Sequence, residues 1–264
     1  TIDAALKTDA FRPRALFDRF GIEVIATTES PLDTLEHHAA IRAANASGEW
    51  AGRVITAYRP DPVIDPEFEG FRDNLKRFSE LAGEDAFSYA GYLAAHRNRR
   101  AFFAEMGATS TDHGHPTAAT ADLSETQAEA LFAQVTAPDV SAADAELFRA
   151  HMLTVMAGMS LDDGLVMQIH PGSFRNHNPW LFEHYGRDKG ADIPTATDYV
   201  HALRPLLGRY GNEAGLTIIL FTLDETSYAR ELAPLAGHYP ALKLGPAWWF
   251  HDSPEGMRRF RNQM

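Results

Sequence analysis

Imidazoles, a guanidinium and a pair of indoles stand at the ends of short apolar runs in this chain, a set that could move protons, hold a carboxylate and cover a sugar face. His170 closes the run 165–170 directly before Pro171-Gly172, where a neutral ring could act as acid, base or ligand near neutral pH. The competing role is a buried histidine bonded to a backbone carbonyl. Run 108–113 delivers Asp112 and His113, and His115 follows within Thr111-Asp112-His113-Gly114-His115-Pro116. In an extended strand, positions i and i+2 face the same way, so both imidazoles of this HxH could reach one metal ion. Gly114 and Pro116 argue that His115 already lies in a loop, and Asp112 could instead orient His113. The alternative is an Asx-type turn with solvated histidines.

Arg59 ends run 54–59 ahead of Pro60, which keeps it extended, and its planar fork suits a two-point hold on a carboxylate. A salt bridge to Asp61 is the competing role. Trp248 and Trp249 follow Gly245-Pro246; one ring could cover a sugar face while the other is buried, against plain core packing for both. Arg175, Asn176, His177 and Asn178 resemble a hydrogen-bonding loop for a polyol and are equally well explained as surface residues.

These residues need elements that bring them together. Six apolar runs (22–28, 54–59, 108–113, 165–170, 216–222 and 241–249) predict strands. Their ends carry Thr27 and Thr28, Arg59, Asp112 and His113, His170, Asp224, and the two tryptophans. Segments of helical spacing lie between them. The first helix is expected from Ser30 as N-cap and Pro31 at the first position to a stop at Gly48. Phe68, Phe71, Leu75, Phe78 and Leu81 stripe a second, and 86–107 forms a third. Two more fill 124–159, divided at Ala137-Pro138, with Leu147, Met152, Val155, Met156 and Met159 as core. Segment 173–194 is long and irregular, as functional loops are. Helices are expected over 195–210 and 225–238, and a last one opens at 253–261. This alternation implies parallel strands with right-handed crossovers and reactive groups at their carboxyl ends, an α/β fold of (β/α)8 barrel type. Six units are two short of closure, so a six-stranded doubly wound sheet is the rival. The chain opens on a helical fragment and stops inside its last helix, which reads as a piece of something longer.

Composition bounds the class. The chain has 264 residues, 45% of them hydrophobic, suiting one barrel domain over 1–264. No 18-residue apolar run and no basic-then-apolar leader is present, so neither a membrane span nor a signal peptide is expected. Zero cysteines exclude disulfides and thiolate ligands and are compatible with a cytoplasmic protein. A formal charge of −12 argues against nucleic acid yet allows a small acidic substrate held by a local arginine. G-x-S-x-G, the P-loop and G-x-G-x-x-G are all absent.

The strings TTESPLDTLEHH, VITAYRPD, GATSTDHGHPTA, VMQIHPGSFRNHN and LKLGPAWWFHDSPEGM, in this order, resemble the uronate (glucuronate) isomerase family of the amidohydrolase superfamily. The resemblance runs over essentially the whole chain. It implies interconversion of D-glucuronate with D-fructuronate and of D-galacturonate with D-tagaturonate on a metal-dependent TIM barrel. By its motifs Arg59 contacts substrate, Trp248 and Trp249 line the sugar site, His170 is the strand-five histidine, and Asp112 and His113 end strand four. The expected roles are a clamp for Arg59 with Arg175 also on the substrate, and proton handling or polar support for His170, Asp112 and His113. The family's first-strand HxH metal pair and its eighth-strand Asp and Arg have no match. A divalent metal, zinc by the resemblance, is therefore expected only in the complete enzyme, with no ligand assigned in this chain. The six runs become strands two to seven of an internal fragment expected to be inactive alone. A sugar-acid ligand and a homo-oligomer are expected, with neither nucleic acid nor membrane as partner. A metal-dependent hydrolase on the same barrel and a non-catalytic carbohydrate-binding remnant are the alternatives.

Overall fold

The computed structural model describes residues 1–263. All six predicted strands form, most of them shorter than the apolar run and the first two shifted by a residue or two: β1 Val24–Glu29, β2 Arg53–Tyr58, β3 Ser110–His113, β4 Val166–Ile169, β7 Ile218–Leu220 and β8 Leu242–Leu244. Between β4 and β7 a short antiparallel ribbon, β5 Ser173–Phe174 with β6 Ile193–Pro194, ties down the long irregular segment. The six-stranded sheet is parallel throughout, in the order β1-β2-β3-β4-β7-β8. That order never reverses. A doubly wound sheet reverses at a switch point, so the rival fold is overturned and the sheet is that of an incomplete (β/α) barrel.

Burial along the strands agrees. Thr111 and His113 of β3, Met167 and Ile169 of β4, and Ile218 and Leu220 of β7 are buried, whereas their strand neighbours are only half-buried. Side chains alternate between faces of a sheet, so helices cover one face and the other, which a closed barrel would turn inward, is more open. On that open face the amide of Gln168 donates to the hydroxyl of Ser110 at 3.0 Å, joining β4 to β3. The covered face packs against the helices Tyr89–Glu105 and Ala142–Asp163, with Met152, Met156, Tyr92 and Phe148 fully buried.

Two expectations about helices need correction. The first begins at Glu36, not Pro31, and ends at Ala46. Ser30 and Asp33 spend their side chains on local turns, accepting from the backbone N–H of Leu32 and Leu35 at 3.2 and 2.6 Å. Leu35 then takes a left-handed φ of 54° while fully buried, a conformation held by packing against Tyr58, Phe103 and Ala108. Leu147 was expected in the core and is 40% exposed; Met152, Met156 and Met159 of its helix are buried as expected. The proline-rich segment after Arg59 also holds a short helix, Asp61–Ile64.

Candidate active site

Arg59, Asp112 and His170 sit on three neighbouring strands, β2, β3 and β4, at their carboxyl ends. Arg59 directly follows β2, its N–H bonded to the carbonyl of Glu29 at 2.9 Å, and His170 directly follows β4, its N–H bonded to the carbonyl of His113 at 3.1 Å. In the register of β3 and β4, Asp112 lies opposite Gln168, so Asp112 and the residue two beyond Gln168 share a face. There the Asp112 carboxylate accepts a short hydrogen bond from Nε2 of His170. Arg59 reaches the other Asp112 oxygen through Nη1 at 3.5 Å and donates from Nε to Asp61 at 2.8 Å. Asp61 in turn accepts from the N–H of Gly114 at 3.2 Å.

At Gly114 any side chain would have to displace its neighbours. A Cβ there would stand 2.3 Å from Arg59 Nη2, 2.8 Å from Asp61 Oδ2 and 3.0 Å from His170 Cε1. The missing side chain thus lets the cation, its carboxylate and the imidazole crowd one loop.

The charges follow from these contacts. Burial alone would raise the Asp112 carboxyl, but the hydrogen bond and charge of His170, with Arg59 and Arg175, outweigh it and hold it below its ordinary range. Burial works against the charge on Arg59, yet Asp61 and Asp112 more than compensate and keep it a cation. Trp248 sets its edge against the His170 ring, centroids 4.3 Å apart, and the Arg175 guanidinium lies 5.6 Å over Trp248. Arg175 is anchored to Asp192 at 2.6 Å. Trp249 lies differently: it is 55% exposed and stacks on Phe250.

Two adjoining cavities open beside this group. The larger, about 560 Å³, is lined by Arg59, Asp61, Arg175, Arg187 and Asp188, among others. The smaller, about 340 Å³, is lined by His115, His170, Ser173, Phe174, Arg175 and Thr195. Gly114, Pro116 and Arg175 border both.

Not every expected residue joins the group. Asp112 and His113 are strand neighbours and so face opposite ways. His113 turns into the helix-covered face, fully buried, with Nε2 on the Thr111 hydroxyl at 3.0 Å. Asp112 therefore orients His170 and not His113. Burial, followed by the nearby His115, pushes the His113 ring well below the usual imidazole range. The His113 and His115 rings stand 5.9 Å apart at 79°. Thr27 bonds His38 at 2.8 Å, and Asp224 caps the turn Glu225–Ser227. Asp61 had been considered only as a salt-bridge partner, and its grip on the Gly114 backbone had no signal in the sequence. Arg187, Asp188 and Ser173 come from the irregular segment whose length had marked it for function.

The residues described do not fit a metal. Among them no group of three or more His, Asp or Glu side chains could hold one. Asp112 and His170 already satisfy each other, and Arg59 supplies the neighbouring positive charge. Among the described residues, too, no helix is long and apolar enough to cross a membrane.

Comparison with known proteins gives a consistent picture. The family model for glucuronate isomerase matches residues 1–264. A uronate isomerase of Sphingopyxis alaskensis is 90% identical over 263 residues, which is 100% of this chain and 56% of that protein. One of Phenylobacterium zucineum is 74% identical over 99% of this chain and 54% of its own length. The crystal structure of glucuronate isomerase from Caulobacter crescentus superposes with a TM-score of 0.93 at 67% identity, covering 99% of this chain and 54% of that one. Uronate isomerase from Thermotoga maritima superposes at 0.85 with 28% identity, covering 95% and 55%. The chain spans about half the length of the curated relatives it matches.

Proposed function

The chain belongs to the glucuronate isomerase family, and on that premise we propose that it carries the substrate-holding part of a uronate isomerase. The reaction is aldose–ketose interconversion: D-glucuronate with D-fructuronate, and D-galacturonate with D-tagaturonate. One observation supports this reading above the rest. A carboxylate–imidazole pair, Asp112 and His170, stands beside a buried-edge guanidinium at the end of a parallel sheet.

Isomerisation moves one proton from C2 to C1 and one from the C2 hydroxyl to the C1 oxygen, with no net gain or loss. A base must therefore take a carbon-bound proton and return it one atom away. With Asp112 accepting from Nε2, the lone pair of a His170 ring that carries one proton lies on Nδ1, a buried atom with no partner among the described residues. We assign that atom the proton transfer, with Asp112 fixing the ring. Trp248 packs against the ring and limits water there. Arg59 and Arg175 hold the carboxylate; Arg59, with Nε tied to Asp61 and Nη1 beside Asp112, lines the larger cavity together with Arg175. His113, turned away from both cavities' open side, contributes support from the core. Trp249 extends the aromatic wall through Phe250.

A divalent metal, zinc by family resemblance, belongs to the proposed complete enzyme, where it would polarise substrate oxygens. No step above passes through it, because the residues described do not form its site. The proposed setting is a cytoplasmic homo-oligomer acting on a small sugar acid.

The test places this chain in the full-length frame of the 90%-identical relative and follows D-glucuronate by proton exchange at C2 and by ketose formation. Turnover that falls at least a hundredfold in His170→Asn is expected. Hydrolysis of an ester or lactone without isomerisation, or uronate binding without turnover, would overturn the assignment.

A further inference from the structure

Among the described residues, Arg175 is the one charged side chain that borders both cavities, and its guanidinium lies over Trp248. It follows a short ribbon in which Phe174 is 58% and Ile193 49% exposed. A long cation in so open a place samples many rotamers, and a ligand that has to still it loses affinity. The ribbon's register supplies a partner. Phe174 pairs with Ile193 in antiparallel β5 and β6, which makes Arg175 and Asp192 the next residues facing each other. Asp192 Oδ2 accepts from Arg175 Nη1 at 2.6 Å, and its Oδ1 accepts from the N–H of Asn176 at 2.8 Å.

Asp192 is an unexpected residue to find buried in this segment. Its side chain is 4% exposed, and no other Asp or Glu among the described residues is buried whole. A buried carboxylate is costly unless its oxygens are paired and bonded, and here both are. The burial serves no apolar core, because Phe174 and Ile193 beside it lie half open. What it secures is Arg175 and the turn at Asn176. That turn has a left-handed φ of 51°, and Asn176 Oδ1 accepts from the N–H of Asp188 at 2.9 Å. Asp192 lines neither cavity, so any effect on a ligand travels through what it holds. Nη1 of Arg175 is spent on it, while Nε and Nη2 bond to no other described residue.

We propose that Asp192 is a positioning residue for the isomerisation, acting through Arg175: it holds the guanidinium over Trp248, between the two cavities, before substrate arrives. This rests on the uronate isomerase reading, in which Arg175 holds the substrate together with Arg59. The ordering of a flexible cation is then completed on folding, and binding does not have to repeat it.

The experiment places the chain in the full-length frame of its 90%-identical relative. It compares Asp192→Asn and Asp192→Ala, each alone and combined with Arg175→Ala. Asn keeps an oxygen for the Asn176 N–H but turns an amide toward Arg175, so it breaks one link and spares the other. With D-glucuronate, Asp192→Asn should raise KM and the calorimetric Kd about three- to tenfold, the cost of ordering one long side chain, with kcat changed less. In the Arg175→Ala background the same substitution should change KM by less than about twofold, because the residue it acts through is gone. A merely structural role would weaken both backgrounds alike, and equal losses would overturn the proposal. So would an unchanged KM, tighter binding, or a loss confined to kcat. Asp192→Asn replaces a single atom and keeps the test decisive if Asp192→Ala fails to fold. Binding without turnover in the unaltered protein sinks the isomerase reading while the calorimetric cycle still judges Asp192; turnover with additive losses sinks Asp192 alone, and absence of binding sinks both.

Discussion

The site depends on one cation being aimed by its neighbours. Arg59 is fixed by Asp61 on one side and Asp112 on the other, and the bare backbone of Gly114 closes the gap. Replacing Arg59 by Ala should raise KM for uronates about ten- to a hundredfold, the worth of a charge-assisted hydrogen bond. Unchanged steady-state kinetics would dismiss the clamp. Gly114→Ala should act differently. Its methyl would displace Arg59 Nη2 and His170 Cε1 together, so kcat and KM should both worsen. Circular dichroism should stay unchanged, because the neighbouring strands are not touched. A Gly114→Ala enzyme with native kinetics would mean that the loop yields without moving either group. Asp112 carries a pH signature. Its carboxyl is held below the ordinary 3.8, so its pairing stabilises the fold above that value and is lost as pH falls further.

Strands and helices explain which of these residues could be read from the sequence. Apolar runs bounded by turns located all six strands, because the strands of a parallel sheet are rich in apolar and β-branched residues, even at the edge strand β1, which has no buried residue here. They did not supply the register. Asp112 meets His170 because β3 and β4 pair with Asp112 opposite Gln168, a tertiary fact that no spacing along the chain contains. Alternation within β3 was available, however, and it already separates Asp112 from His113. The Ser30-Pro31 signal failed for a local reason: Ser30 and Asp33 cap turns, and the helix waits for the left-handed Leu35. The same helix-covered layer predicts an acid response. His96, His113, His115 and His151 are buried there or beside it, and burial pushes each ring below its ordinary 6.5. They stay neutral in the fold while the unfolded chain protonates below 6.5, so stability is full above that pH and falls as pH drops through and below it. Denaturant midpoints should therefore decline from pH 7 to pH 5, and His113→Gln should make the decline shallower. A flat profile over that range would contradict the burial.

Taken by itself, the molecule is a sheet that does not close. β1 and β8 are its edges among the described residues, and Val24 and Ile25 on β1 are 39% and 36% exposed. Unpaired edge strands invite pairing with other chains, whereas a formal charge of −12 pushes copies apart. Salt should decide between them. Repulsion reaches about 30 Å at 0.01 M and about 3 Å at 1 M, so sedimentation of the isolated chain should shift from monomer to larger species across that range. Monomers at every salt concentration would show that the edges are blunted. Isomerase turnover by the isolated chain is not expected, since the open sheet leaves the site unwalled on one side; measurable turnover would refute this. The strand order has a last consequence. Because each strand of the sheet pairs with the one made just before it, no part of the sheet waits for a distant segment to be synthesised. During translation the sheet can extend unit by unit, its growing edge always the newest strand. Arg59, Asp112 and His170 would then meet as soon as β4 leaves the ribosome, well before the tryptophans exist.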